Sequence, residues 1–236
     1  VATIADLPVS DEVPRQGVPT GPRELAWQPL AGATLVWVEA LDGGDPVRKV
    51  PHRERVMTLA APFAAAPREV TRLKQRFTSL DWTAREGVAL VAEYDRDRRW
   101  RTTSLLDLAA PEAAKILFDL SANDAYGDPG DPVMETRPSG ETVAVQDGDA
   151  IYLAGDGASE GGDRPFLDRF SLSTLKKERL FRCEESRYER FLAFVQGSRA
   201  QALARSESKT DPPNLYLLDL ASSARRKLTD YRDPTP

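Results

Sequence analysis

The sequence predicts an all-β protein, a β-propeller of about four four-stranded blades forming a partial or small ring. Three observations predict it. Apolar residues come in short runs rich in Val, Leu, Phe and Tyr, bounded by clusters of Gly, Pro, Asp and Asn, which is the signature of strands and turns. Helical periodicity is scarce, and the best helical candidate, Pro111 to Leu117, is short enough to be a turn feeding a strand. One pattern also recurs along the chain, an apolar strand ending in Leu, then a polar turn, then a strand entered through basic or polar residues.

The recurring stretches are "VMTLAAPFAAAPREVTRL", "TSLLDLAAPEAAKILFDL", "RFSLSTLKKERLFRC" and "LYLLDLASSARRKLTDY", which align Leu59, Leu108, Leu172 and Leu220. A hairpin precedes each, so every unit holds four strands at a period of roughly 50 residues, longer before the third. A small antiparallel sheet of this kind buries its two faces only when neighbours stack on it. The expected blades run over Arg23 to Arg76, Phe77 to Ala122, Asp131 to Glu185 and Arg187 to Tyr231. Residues 1–22 carry Pro8, Pro14, Pro19 and Pro22 and are expected to form an extended lead-in, because proline has no donor for a central strand. A two-sheet sandwich is the structural alternative, but its turns come every 8 to 12 residues or so without a longer superperiod. An unclosed arc would leave apolar blade faces and strand edges open, so a longer parent chain or a covering partner, including a second copy of this chain, is expected.

With 236 residues, 41% hydrophobic, 29% charged and 8% aromatic, the composition is that of an ordinary globular protein. The longest apolar runs, Ala33 to Val38 and Val88 to Ala92, fall far short of the ~20 residues of a membrane helix. The first residues show no basic stretch followed by an apolar one, so no signal peptide is expected, and the compartment stays open between cytoplasm and periplasm. A net charge of −5 argues against nucleic acid as the main partner. Arg96, Arg98, Arg99 and Arg101 around Trp100 are read as a solvated hairpin rather than a phosphate-binding stripe.

Candidate chemistry is sparse. A single cysteine, Cys183, builds neither an intramolecular disulfide nor a cysteine zinc site. Gly157-Ala158-Ser159-Glu160-Gly161 matches the G-x-S-x-G pattern, yet the following Gly161 to Pro165 cannot start the helix a nucleophile elbow requires. The only histidine, His52, lies upstream of that serine, against the hydrolase order, and has no second His or Cys to share a metal with. No catalytic residue, metal or cofactor is therefore assigned. Asp42-Gly43-Gly44-Asp45 lacks the alternating carboxylates of a calcium loop and reads as a turn, with glycines supplying positive φ and Pro46 ending the segment.

"TLVWVEALDGGDP", "AYGDPGDPVMETRPSGETV", "RPFLDRFSLSTLKKERLF", "ALARSESKTDPPNLYLLDL" and "KLTDYRDPTP", spanning about Gly21 to Pro236 in order, resemble the β-propeller of prolyl oligopeptidase family serine peptidases, on the branch of glutamyl endopeptidases. The resemblance implies a C-terminal α/β-hydrolase domain as partner, following "LTDYRDPTP" and carrying the family's Ser, Asp and His beyond Pro236, with further propeller sequence upstream. It also implies peptide substrates, and loops that face the hydrolase domain and shape its cavity. The longest polar inserts are Asp42 to Arg55 and Asn123 to Pro132. In the first, Asp45, Arg48, Lys49, Arg53 and Arg55 are the substrate-facing candidates, the basic ones suited to an acidic side chain. The expected function is a non-catalytic propeller that gates a hydrolase site and helps hold peptides. The alternative is a stand-alone propeller serving as a protein-binding scaffold, and a hydrolase or lyase with paired carboxylates finds no spacing that singles out a pair.

Overall fold

The computed structural model describes residues 9–233 together with Thr3 and Asp6. Pro8 and the last three residues of the expected hand-over stretch thus lie outside the described residues. The fold is all-β, and its four larger sheets are each built on an antiparallel meander of four strands paired in chain order. Among the described residues the helical segments are two 3-10 turns, at Ser10–Glu12 and Pro111–Ala113. The second is the expected turn at Pro111, and it feeds a strand from Lys115. No helix among the described residues is long and apolar enough to cross a membrane.

The first sheet orders β1 (Arg23–Trp27), β2 (Thr34–Ala40), β3 (Glu54–Ala60) and β4 (Arg68–Leu73). The second orders β5 (Arg76–Trp82), β6 (Val88–Asp95), β7 (Trp100–Asp107) and β8 (Lys115–Ser121). After β9 (Asp131–Pro132) and a ribbon of β10 (Met134–Thr136) with β11 (Thr142–Ala144), the third sheet joins β12 (Gln146–Asp147), β13 (Ala150–Gly155), β14 (Phe166–Ser171) and β15 (Lys177–Arg182), with β9 added against β13. The fourth orders β16 (Tyr188–Phe194), β17 (Gln201–Glu207), β18 (Asn214–Asp219) and β19 (Arg225–Lys227). The extra strands β9 to β11 account for the longer interval before the third repeat.

The repeat has a hydrogen bond at its centre. The backbone N–H of Leu108, Leu172 and Leu220, each one residue past the third strand of its sheet, donates to the carbonyl of Gly87, Asp149 and Ala200, the residue just before the second strand. In the first sheet that bond runs from Ala61 to Ala33, so the equivalent of the other leucines is Ala61, and the alignment of Leu59 is corrected by two residues. A slip of two keeps the same face of a strand, so side-chain pattern alone does not detect it.

By contacts the chain forms two compact units, residues 1–122 with 136–143, and residues 123–135 with 144–236. In the first unit, Val36, Val38 and Val56 join one cluster with Val70, Trp82, Val91 and Leu106, whereas Leu35, Trp37 and Met57 form another. Side chains alternate between the faces of a strand, so cover on both faces explains why β2 is an unbroken apolar run. In the second unit, Val145, Tyr152 and Leu167 pack with Phe181, Phe191 and Phe194. Tyr152 and Phe194 meet edge to face at 4.8 Å between ring centroids.

Candidate functional site

The segment from Leu41 to Arg53 links β2 to β3 and begins with the Asp-Gly-Gly-Asp turn. Asp42 Oδ1 accepts the Gly44 N–H at 3.0 Å, Asp45 Oδ1 accepts the Val47 N–H at 2.9 Å, and Gly43 and Gly44 have φ of 70° and 75°. It is a turn, as its residues predict, but it is also an anchor. Asp42 is fully buried, and its Oδ2 accepts from Arg53 Nη1 at 2.9 Å and Arg76 Nη2 at 2.6 Å. Arg76 Nη1 in turn donates to Glu54 Oε1 at 2.5 Å, and the other oxygen of that fully buried carboxylate is paired with Arg23.

Three of these five charges open a strand: Arg23 begins β1, Glu54 begins β3 and Arg76 begins β5. Sequence reasoning passed over them and over Asp42 as an anchor. The available signal is positional, a charged residue at the first position of a strand that continues into the core, as in "ERVM".

The candidates at this loop occupy different settings. Asp45 is half-buried and holds its own turn, while Arg48 and Lys49 are exposed. Arg53 is 17% exposed at its side chain, bound to Asp42 and to the Arg48 carbonyl at 3.1 Å. Arg55 pairs with Glu39 through Nε at 2.9 Å and Nη2 at 2.6 Å and lies 3.6 Å from Glu69. The Glu69 carboxyl is held below its ordinary range, chiefly by its hydrogen bond from Arg72, with Arg55 adding to it. The loop thus gathers Arg53 into the buried network and leaves Arg48 and Lys49 to solvent.

The lead-in residues meet this turn directly. The Val18 N–H donates to the Gly44 carbonyl at 3.0 Å, and Arg96 on the β6–β7 tip donates to the Gln16 side-chain oxygen. At the same tip Arg98 lies over the Trp100 ring, 4.8 Å from its centroid. His52 is half-buried near Glu93, whose pKa is raised by burial although its carboxylate accepts the Gln75 N–H at 2.8 Å.

In the second unit the Ser159 hydroxyl donates to the Gly162 carbonyl at 2.6 Å, closing a turn rather than facing a helix. The Asn123–Pro132 loop and the loop after β13 line a cavity of about 340 Å³ whose charged residues are Asp128, Asp131, Asp156, Asp163 and Arg190. Among the described residues no group of three or more His, Cys, Asp or Glu is placed to hold a metal ion.

Glu189, fully buried on β16, lies 3.2 Å from Arg225, and the Cys183 Sγ accepts its backbone N–H at 3.0 Å. Burial pushes its pKa above the ordinary 4.5, against the pull of Arg225. Above that pH the unfolded chain has released a proton that folded Glu189 still holds, so this group's contribution to stability falls as pH rises through its folded pKa. Relative to the unaltered protein, Glu189→Gln is therefore expected to gain stability as pH rises above 4.5, read by urea denaturation at several pH values. A difference that stays constant with pH would mean that Glu189 titrates normally.

No family model matches the chain. It is 30% identical over 255 residues to a probable chloroplastic glutamyl endopeptidase of Oryza sativa subsp. japonica, and 30% identical over 256 residues to one of Arabidopsis thaliana. Both alignments take in 100% of this chain but only 27% and 26% of the relatives, so the chain spans about a quarter of their length. Among solved structures, prolyl oligopeptidase B from Galerina marginata superposes with a TM-score of 0.51 at 9% identity, covering 90% of this chain and 29% of that one. A puromycin hydrolase gives 0.50 at 15% identity, covering 97% of this chain and 32% of that one. At such identities the superpositions speak to the fold alone. Similarity along the whole sequence thus relates the chain to a portion of glutamyl endopeptidases, and the superpositions give it the β-propeller fold.

Proposed function

We propose that the chain is the non-catalytic propeller portion of a serine peptidase, restricting access to an α/β-hydrolase domain and helping to hold peptide substrates. The observation that carries this reading is the match of the entire chain to about a quarter of each glutamyl endopeptidase, which leaves most of those enzymes for other domains. Sheets with charged loops at their strand ends suit gating and holding, since binding residues collect on the loops of a packed scaffold. In this reading Asp45, Arg48, Lys49, Arg53 and Arg55 face the substrate side, with Arg48 and Lys49 making the direct contacts and Asp45, Arg53 and Arg55 shaping the loop.

The test uses the whole enzyme to which the chain belongs. Exchanging both Arg48 and Lys49 for Gln is expected to raise KM for peptides with an acidic residue at the cleavage position roughly two- to fivefold, as for exposed ion pairs, and to leave neutral peptides unchanged. Equal effects on both peptides would count against substrate contact by this loop. The 236-residue chain alone is expected to hydrolyse neither peptide, and turnover by it would overturn the reading.

A further inference from the structure

We infer that the segment leaving the last sheet, Leu228 to Tyr231, is a strap seated on the side chain of Asn214, and that Asn214 is a positioning residue which sets the direction the chain takes as it departs. Only what that direction serves rests on the proposed function.

Asn214 opens β18 after two prolines, and it is 1% exposed on the face that Tyr216 and Leu218 turn to the core. An amide buried there is costly unless its two donors and two acceptor positions are filled. All four are. Nδ2 donates to the Pro212 carbonyl at 3.0 Å and to the Tyr231 carbonyl at 3.2 Å. Oδ1 accepts the Thr229 hydroxyl at 2.9 Å and the Tyr231 N–H at 2.7 Å. The side-chain amide thus grips both backbone groups of Tyr231, as a neighbouring strand would. Aspartate has no donor for the carbonyl, and leucine has neither group.

The strap is held off the ladder of its own sheet. The Leu228 N–H still donates to the Leu215 carbonyl at 2.8 Å, which continues the β18–β19 pairing. The Leu215 N–H, however, goes to the Thr229 hydroxyl at 2.9 Å rather than to a backbone carbonyl. From that point side chains set the path. Apolar burial adds little, since Leu228 and Tyr231 are 42% and 63% exposed. Lys227 lies 3.1 Å from Asp230 and 3.4 Å from Asp211, and ion pairs this exposed contribute weakly. A segment held by a few hydrogen bonds to one residue opens locally while its sheet stays intact. The strap therefore has a docked and a free state, and Asn214 sets the balance between them. In the proposed enzyme the docked strap fixes how the last sheet meets the domain that follows, and with it how large a substrate is admitted.

Hydrogen exchange read by NMR on the 236-residue chain tests the seat. In Asn214→Ala the Tyr231 and Leu215 amides are expected to exchange about tenfold faster or more, with Ala202 and Ala204 of the central strand β17 unchanged. Lys227→Gln, which removes only the outer ion pairs, is expected to leave all four amides as they are. Loss of a buried asparagine threatens the fold, so Tyr231→Pro is the second variant. It deletes the N–H from the exposed partner, alters no buried side chain, and is expected to speed exchange at Leu215. Equal acceleration through the whole sheet would make Asn214 a stabilising residue only and overturn the inference. So would a Tyr231 amide that exchanges like free peptide in the unaltered chain, or a Lys227→Gln effect equal to that of Asn214→Ala. In the whole enzyme, Tyr231→Pro is expected to raise turnover of casein relative to that of a short peptide. An unchanged ratio with the strap released would overturn the link to substrate access. Hydrolysis by the chain alone would overturn the proposed function and not the strap.

Discussion

Glu54→Ala is expected to lower stability by about 3–5 kcal/mol, the loss typical of removing one partner from a buried ion pair. The carboxylate is fully buried and serves two guanidiniums at once, Arg23 on one oxygen and Arg76 on the other. Without it Arg23, whose side chain is 9% exposed, has no acid among its ion pairs, while Arg76 keeps only Asp42. In a chain of this size each kcal/mol moves the melting temperature by roughly 2–4 °C, so the fall is easily read in a thermal scan. Screening hardly reaches a buried pair, so added salt leaves the deficit in place. Two companions separate charge from packing. Glu54→Gln keeps the shape and one acceptor oxygen and loses less. Arg23→Met combined with Glu54→Leu removes both members of that pair, leaves Arg76 paired with Asp42, and is expected to recover part of the loss, because well-packed apolar pairs often equal or exceed a buried ion pair. A deficit below about 1 kcal/mol for Glu54→Ala would place the network in the class of surface pairs.

Most of the fold is written locally, and most of the site is not. Strand runs such as Leu35 to Val38 and turn residues such as Gly43 and Gly44 announce themselves because their periodicity and φ preferences are properties of neighbouring residues. The four-strand repeat is legible for the same reason, yet side-chain pattern leaves its phase in the first blade open by two residues, and the bond from Ala61 to Ala33 fixes it. The ion network joins residues from Arg23 to Arg76, each unremarked in its own window. Long side chains meet through the third dimension, and charge at a strand start reads equally well as solvent-facing. Arg53 shows the cost of that ambiguity: sequence alone presents it as a free cation on a polar loop, and the fold ties it to an aspartate eleven positions away.

Gly44→Ala is expected to cost roughly 2–3 kcal/mol, from a side chain forced into the left-handed region together with the loss of a backbone hydrogen bond. A β-carbon at Gly44, where φ is 75°, would fall on the Val18 carbonyl oxygen. The obstacle is backbone, so no rotamer relieves it. Either the turn changes, releasing Gly44 N–H from Asp42, or the lead-in shifts and surrenders the bond from Val18 N–H to the Gly44 carbonyl. Gly43→Ala is the comparison that isolates the collision. Its φ of 70° is equally adverse, yet the nearest atom to its β-carbon is the movable tip of Arg48, 3.6 Å away. That variant should lose only the conformational cost, about 1 kcal/mol. Hydrogen exchange at Val18 reports the difference directly, faster in Gly44→Ala and unchanged in Gly43→Ala. Equal losses in the two variants would mean that the lead-in yields freely and that Gly44 is required for its φ alone. A larger loss at Gly44 would mean that the same dipeptide which makes the turn also seats the lead-in, and with it Gln16 against Arg96 of the β6–β7 tip.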